Sequence, residues 1–290
     1  MELNNKRYLI KEIISETDNA VILKAFDKDR KELVALKRLK FTKDKVFCKL
    51  FKNEVNNLRQ IPLSNSVQSY DSFEEYPYLY IVMELCDENL DDFRKNKEKK
   101  VLSLWEIKNI FLQLNIAFRF FLRLGLIHRD IKPQNILIKY KDKNRSDYIV
   151  KVAYYGLSKI YKNKIITISK LSGLGTSGYI APEFFSDEHF DNSCDLFSIG
   201  ILLYELFFGI YPYNFKIPNS QTIINKLNKN ELFILPADND FKDLLLKLIC
   251  EREKRIKWED YFNHPFFKPF FFLMTIIFLI KLLQEGREII

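Results

Sequence analysis

His128-Arg129-Asp130-Ile131-Lys132-Pro133-Gln134-Asn135 sets a carboxylate, a lysine and an amide at fixed spacing in one short polar run. Alone, His128 would read as a hydrogen-bonded core histidine and Asp130 as a turn residue. The joint string outweighs those readings. Its surroundings add to it. Upstream, Leu104–Leu124 repeats apolar residues at three- and four-residue steps and ends at Gly125, which predicts a long amphipathic helix with a glycine stop. Downstream, Ile136–Ile138 and Ile149–Val152 flank a polar stretch and predict a small hairpin.

Farther out, the two ends of the chain differ. Tyr8–Ile14 and Ala20–Phe26 are β-rich and separated by a polar turn, and Leu33–Leu39 and Tyr78–Leu85 are two more apolar runs. Between them Phe47, Leu50, Phe51, Glu54, Val55 and Leu58 recur at helical spacing, and Pro62 ends the pattern. Glu54 shares that apolar stripe, so its carboxylate calls for a partner. Beyond the octapeptide the chain is mostly helical, over Ser193–Phe208, about Ser220–Asn228 and Asp240–Cys250. The expected fold class is α+β: a small β-rich lobe with one main helix, then a larger helical lobe, with the crossover near Cys86–Leu90.

The chain has 290 residues, 47% hydrophobic and 29% charged, enough for a substantial core and unlike a disordered chain or a multi-span membrane protein. A net charge of +8 is spread along the whole length, so it reads as solvated surface, and no nucleic-acid partner is expected. The four cysteines are far apart and only three histidines accompany them, which argues against zinc and disulfides and for a reducing, cytoplasmic setting. The first 124 residues contain no glycine. A phosphate-cradling loop that needs φ > 0 therefore cannot lie there in standard form.

The octapeptide resembles the catalytic loop of protein kinases in its serine/threonine form, and other stretches fall into register with that family. Gly175-Thr176-Ser177-Gly178-Tyr179-Ile180-Ala181-Pro182-Glu183 resembles the segment that closes the family's activation loop. Asp195–Gly200 resembles the start of its central helix, and Arg255-Ile256 with His264-Pro265-Phe266-Phe267 resembles the domain's end. The resemblance covers residues 8–267, with an N-lobe over about 8–86 and a C-lobe over 87–267 in a bilobal kinase fold. It implies ATP and Mg²⁺ as cofactors and a protein substrate or signalling partner. It also implies roles. Lys37 would hold the α- and β-phosphates, positioned by Glu54. Asp130 would accept the proton of a Ser or Thr hydroxyl, with Lys132 near the transferred phosphoryl group and Asn135 binding Mg²⁺. Met83 would back the adenine pocket, the backbone of Glu84–Cys86 would bond the adenine edge, and Ile22, Ala35 and Leu137 would sandwich the ring. Arg129 would pair with a phosphorylated activation segment, at Ser169 or Ser172, and Arg255 would pair with Glu183.

Two positions depart from the family. Tyr154 stands where the D-F-G motif has its metal-ligating aspartate, and a neutral phenol is a poor ligand for a hard cation. Ser15, Thr17 and Ala20 replace the three glycines of the phosphate-covering loop. The expected activity is therefore weakened phosphoryl transfer, with a pseudokinase acting as a binding module as the alternative. After the domain, residues 268–290 form an apolar tail in which Pro269–Ile280 carries no charge. As a helix this run spans ~18 Å against a hydrocarbon core of ~30 Å. A tail packed on the C-lobe, or an error at the gene's end, is preferred over membrane association.

Overall fold

The computed structural model describes residues 2–4, 6–16, 20–40, 64–153, 177–183, 191–212 and 234–268. The helix expected around Glu54, the Ser220–Asn228 helix, the stretch containing Tyr154, Ser169 and Ser172, and the tail lie outside these residues. The chain divides into two compact units that do not follow chain order. One holds residues 1–93 and 133–169, the other residues 94–132 and 170–290.

The first unit is built on sheets. Strands β1 (Glu2–Leu3), β2 (Tyr8–Glu16), β3 (Ala20–Asp27), β4 (Glu32–Lys40), β5 (Ser69–Glu75) and β6 (Tyr78–Glu84) form one antiparallel sheet in the order β1-β2-β3-β4-β6-β5. The expected hairpin is present as β2 and β3, and the apolar runs at 33–39 and 78–85 are β4 and β6. One face of this sheet is apolar because residues two apart on a strand share a face. Val21, Leu23 and Ala25 of β3, Val34 and Leu36 of β4, and Tyr80 and Val82 of β6 meet there with Tyr8 and Leu3 in a buried cluster. Each large aliphatic side chain withdrawn from water contributes about 1.5–3 kcal/mol. Phe73 of β5 stacks between Tyr8 and Tyr80, with ring centroids at 5.2 and 4.7 Å, and fixes the edge strand to that core.

A second sheet of the same unit has the order β7-β8-β9, from Glu88–Asn89, Ile136–Tyr140 and Tyr148–Val152. The hairpin expected on either side of the polar stretch is β8 and β9, whose Ile136, Ile138, Val150 and Val152 are fully buried. A short helix α1 (Leu90–Lys95) comes after β7.

The second unit is helical. Helix α2 (Leu104–Arg123) opens on a capping box. Ser103 Oγ accepts the Glu106 N–H, and the Glu106 carboxylate accepts the Ser103 N–H at 2.9 Å. Such a cap is worth about 1 kcal/mol. Gly125, at φ +64°, supplies the left-handed residue just past its end. Helix α3 (Ser193–Phe208) is buried on every side from Cys194 to Leu206, as expected of a helix apolar all round at the centre of a unit. Gly200 lets α4 (Asn239–Leu248) and the residue after it approach α3, since a Cβ there would meet Ile249 and Leu248 at 2.7 and 2.8 Å. Helix α5 (Trp258–Phe262) and a 3₁₀ turn at Pro265–Phe267 close the unit.

Candidate functional site

In the helical unit the site is built on residues 128–132. The loop leaves α2 through Gly125 and is held from behind by one carboxylate. Asp195, wholly buried in the first turn of α3, accepts the backbone N–H of His128 and of Arg129, each at 2.7 Å. Burial raises the Asp195 carboxyl above its ordinary range, against the pull of His128 and of the two N–H donors. That grip holds Arg129 at φ +65°, a conformation costly for a residue with a side chain. The Asp130 N–H is donated to His128 Nδ1 at 3.3 Å, while the buried Ile131 pins the loop to the core.

With its backbone fixed, the loop turns Asp130 outward. The Asp130 side chain is 58% exposed, and its carboxylate meets Lys132 Nζ at 2.9 Å. A solvated carboxylate with an ammonium beside it can take a proton from a hydroxyl and steady the charge of a transferring anion. The division between units falls directly after Lys132. In the sheet unit the chain continues as a 3₁₀ turn, Pro133–Asn135, with Asn135 buried and its carbonyl accepting the Ala153 N–H at 2.9 Å.

The other expected site residues of the sheet unit are gathered by strand register. Lys37 of β4 lies opposite Ile22 of β3 and Ile81 of β6, while Ala35 lies opposite Lys24 and Met83. Directly opposed residues share a face, so Ile22, Ala35, Lys37 and Met83 occupy one face of the sheet, the one turned away from the aromatic core. Glu54 lies outside the described residues, so its pairing with Lys37 does too.

Leu137 comes from the second sheet. It shares a face of the β8–β9 hairpin with Lys139 and with Lys151 opposite it. Both lysines reach the carboxylate of Glu84 at the end of β6, at 2.5 and 3.0 Å. The structure thus brings Leu137 to the end of β6 through the lysines that flank it. Burial opposes the charge on Glu84, but the hydrogen bonds and charges of Lys139 and Lys151 outweigh it and hold the carboxyl below its ordinary range. Glu84 donates its N–H to the Gln68 carbonyl at 2.9 Å, and Lys151 Nζ also donates to the Ser64 carbonyl at 2.6 Å. Two residues on, burial pushes the Cys86 thiol up to about 12.

Sequence reasoning missed the two lysines that hold Glu84. It also treated Asp195 only as part of a helix start. The signal for Asp195 was available: it is a carboxylate in a helix otherwise apolar enough to be buried all round, and such a group needs donors. The expected pairing of Arg255 with Glu183 is present. The guanidinium and carboxylate form two parallel bonds at 2.6 and 3.0 Å, both side chains buried, and Arg255 donates further to the Ser193 and Cys250 carbonyls. Beside it, Tyr179 donates its hydroxyl to the buried Glu205, which also pairs with Arg94 at 3.3 Å.

Comparison with known proteins agrees with this arrangement. The family model described as protein kinase domain matches residues 8–267. A protein of Acanthamoeba polyphaga mimivirus, R517/R518, is 30% identical, the match covering 92% of this chain and 64% of its own. Serine/threonine-protein kinase ULK1 of Homo sapiens is 28% identical over 88% of this chain and 25% of its own. Serine/threonine-protein kinase atg1 of Dictyostelium discoideum is 31% identical over 73% of this chain and 31% of its own. The chain therefore spans between a quarter and somewhat under two thirds of the length of these relatives.

Proposed function

Because the chain belongs to the protein kinase domain family, in its serine/threonine class, we propose that it transfers the γ-phosphoryl group of ATP to Ser or Thr hydroxyls of a protein, at a reduced rate. The carrying observation is Asp130: an exposed carboxylate, 2.9 Å from Lys132, on a loop whose backbone a buried carboxylate fixes. A residue kept only for the fold has no need to face solvent there.

In this reading the substrate hydroxyl oxygen forms the new P–O bond and its proton passes to the Asp130 carboxylate. The bond to the β-phosphate oxygen breaks, and ADP leaves. Lys132 steadies the moving phosphoryl group, and Lys37 holds the α- and β-phosphates. Ile22, Ala35, Met83 and Leu137 enclose the adenine. Since Gln68 takes the Glu84 N–H, the donor to the adenine edge falls to Cys86.

The family uses ATP with Mg²⁺, but the donor set here fits Mg²⁺ poorly. Asn135 offers one amide oxygen, and Tyr154 puts a phenol where a carboxylate is needed. That same poverty of ligands, with the glycine-free loop at 15–20, favours a second reading: a kinase-shaped binding module that engages a signalling partner without turnover. The free thiols Cys86, Cys194 and Cys250 suit a cytoplasmic setting for either.

The deciding experiment is phosphoryl transfer by the purified chain, in Mg²⁺ or Mn²⁺, beside its Asp130→Asn variant. Transfer above that control, lost in the variant, is the expected result. Equal rates in both would leave the binding module.

A further inference from the structure

Glu84, the last residue of β6, carries a carboxylate that the fold has almost withdrawn from water and set between two ammonium groups. Lys139 Nζ meets its Oε1 at 2.5 Å, and Lys151 Nζ meets its Oε2 at 3.0 Å. The side chains of Glu84 and Lys151 are only 10% and 7% exposed. Burying such groups costs about as much as their pairing returns, and apolar residues of the same size often hold two elements together equally well. What a buried ionic group adds is a fixed geometry.

That geometry is applied to a short strip of the sheet unit. Both lysines belong to the β8–β9 hairpin and lie on the face that carries Leu137, which stands directly opposite Lys151. Three residues beyond Glu84 the same hairpin holds the chain again. Asp87 donates its N–H to the Ile138 carbonyl at 2.9 Å, and its carboxylate accepts the Tyr140 N–H at 2.8 Å. Glu88 and Asn89 then pair with Ile138 and Leu137. Only Leu85 and Cys86 lie between the two anchors. The anchors' own N–H groups are taken, that of Glu84 by the Gln68 carbonyl and that of Asp87 by Ile138. The Cys86 N–H falls between them, and no described residue accepts it.

We propose that Glu84, gripped by Lys139 and Lys151, is a positioning residue for base selection: it holds the Leu85–Cys86 strip so that the Cys86 N–H and the Leu137 side chain meet one purine together. The inference rests on the nucleotide reading above and adds to it a side chain that touches no nucleotide. The ring nitrogen on the Watson–Crick edge accepts a hydrogen bond in adenine, whereas in guanine it carries a hydrogen that opposes the Cys86 N–H. Selection of ATP over GTP then depends on how firmly that donor is held, because a loose strip can swing aside and relieve the clash.

Competition of ATP and of GTP against methylanthraniloyl-ATP, in EDTA and with the full chain, tests this. The unaltered chain should prefer ATP by about tenfold or more, and Glu84→Gln should narrow that preference by about fivefold or more. A clamp that served only the fold would weaken both nucleotides alike and leave the preference unchanged. Lys139→Met, at a side chain 41% exposed, gives the same readout should Glu84→Gln fail to fold, and should narrow the preference by about twofold or more. Because Lys139 acts through the carboxylate, Glu84→Gln combined with Lys139→Met should narrow it no further than Glu84→Gln alone. An unchanged preference in both single variants, or additive narrowing in the double variant, overturns the proposal. So does an unaltered chain that binds ATP and GTP equally. Failure of the unaltered chain to bind either nucleotide strikes the nucleotide reading itself, and this inference with it.

Discussion

The loop at residues 128–132 in the helical unit and the strand residues around Lys37 in the sheet unit stand differently against the kinase pattern. Residues 128–132 keep every side chain of the kinase pattern, and Asp195 fixes their backbone through two 2.7 Å bonds. On the sheet side, Lys37 and the apolar residues around it share one face by register, while the chain on either side of them departs from that pattern. Ser15, Thr17 and Ala20 stand where the kinase resemblance expects glycines, and Tyr154 where it expects a metal-ligating aspartate. On the proposed reading, the loop that would handle the hydroxyl is intact where the grip on phosphate would be weakened. The difference teaches that shape and chemistry have separate supports. Asp195 keeps the loop's form whether or not it turns over, so the form alone is no sign of activity. Asp130, exposed and outside that support, is the residue on which the proposed chemistry rests.

The sharpest way to break the comparison is to repair the weakened side. On the proposed reading Tyr154→Asp would supply the ligand the site lacks and should raise phosphoryl transfer by about a hundred- to several-thousand-fold, the equivalent of about 3–5 kcal/mol of transition-state stabilisation. Steady-state transfer to a generic Ser/Thr peptide at fixed Mg²⁺ reads the effect. A rise below about tenfold would place the defect in the glycine-free loop instead.

Next in size is the support of the intact side. Asp195→Ala orphans one buried and one part-buried N–H group, at about 1–3 kcal/mol each, and should lower stability by about 2–5 kcal/mol in denaturant unfolding. Asp130→Asn, at an exposed carboxylate, should change stability by less than about 0.5 kcal/mol. Similar losses in the two variants would erase the distinction between shape and chemistry.

Much of this was legible in the sequence because period and punctuation were strong. The 20 residues of α2 keep a helical repeat between a Ser-x-x-Glu cap and Gly125, so the expected helix and the observed one differ by a single residue. The strands β2, β3, β4 and β6 are apolar enough to stand out, and β8 and β9 frame a polar loop. The edge strand β5 did not stand out. Ser69-Tyr70-Asp71-Ser72-Phe73-Glu74-Glu75 offers only Tyr70 and Phe73 to the core and takes its form from pairing with β6. Helix α1 is too short for its period to register. At the site, the joint string 128–135 singled out Asp130 and Lys132, and the family resemblance pointed to Lys37. They did not reveal the Glu84 pairings, because Lys139 and Lys151 are brought to Glu84 by hairpin register across more than 50 residues.

Those lysines give the third prediction. Glu84→Gln removes the charge that Lys151, itself almost fully buried, is paired with. The loss should be about 1–3 kcal/mol, smaller than for Asp195→Ala, because Lys139 is 41% exposed and Lys151 keeps the Ser64 carbonyl. Native-state hydrogen exchange should show the loss in β6, β8 and β9. An unchanged exchange pattern there would mean that β6 and the hairpin are held together by apolar packing alone.

The smallest effect separates the two units by pH. His264, buried in the helical unit, donates from Nε2 to Asp243 at 2.9 Å and accepts the Phe266 N–H on Nδ1 at 3.3 Å. The neutral ring satisfies both bonds, whereas a protonated ring would set one N–H against another. Burial lowers the His264 pKa from 6.5, outweighing the attraction of Asp243 and Asp240, and Lys247 adds to the lowering. Between the folded and unfolded values the unfolded chain holds the extra proton. This contribution is therefore complete above pH 6.5 and is lost as pH falls through the window below it. The lowered carboxyls of the sheet unit, Asp27 and Glu84, stabilise above their ordinary values of 3.8 and 4.5 and lose that only in more acid solution. A modest drop in the denaturation midpoint as pH falls below 6.5, abolished in His264→Gln, is expected ahead of any acid effect on the sheets. If the drop survives in His264→Gln, another group in the chain carries it, and the neutral histidine between Asp243 and Phe266 is not what makes the helical unit sensitive in that range.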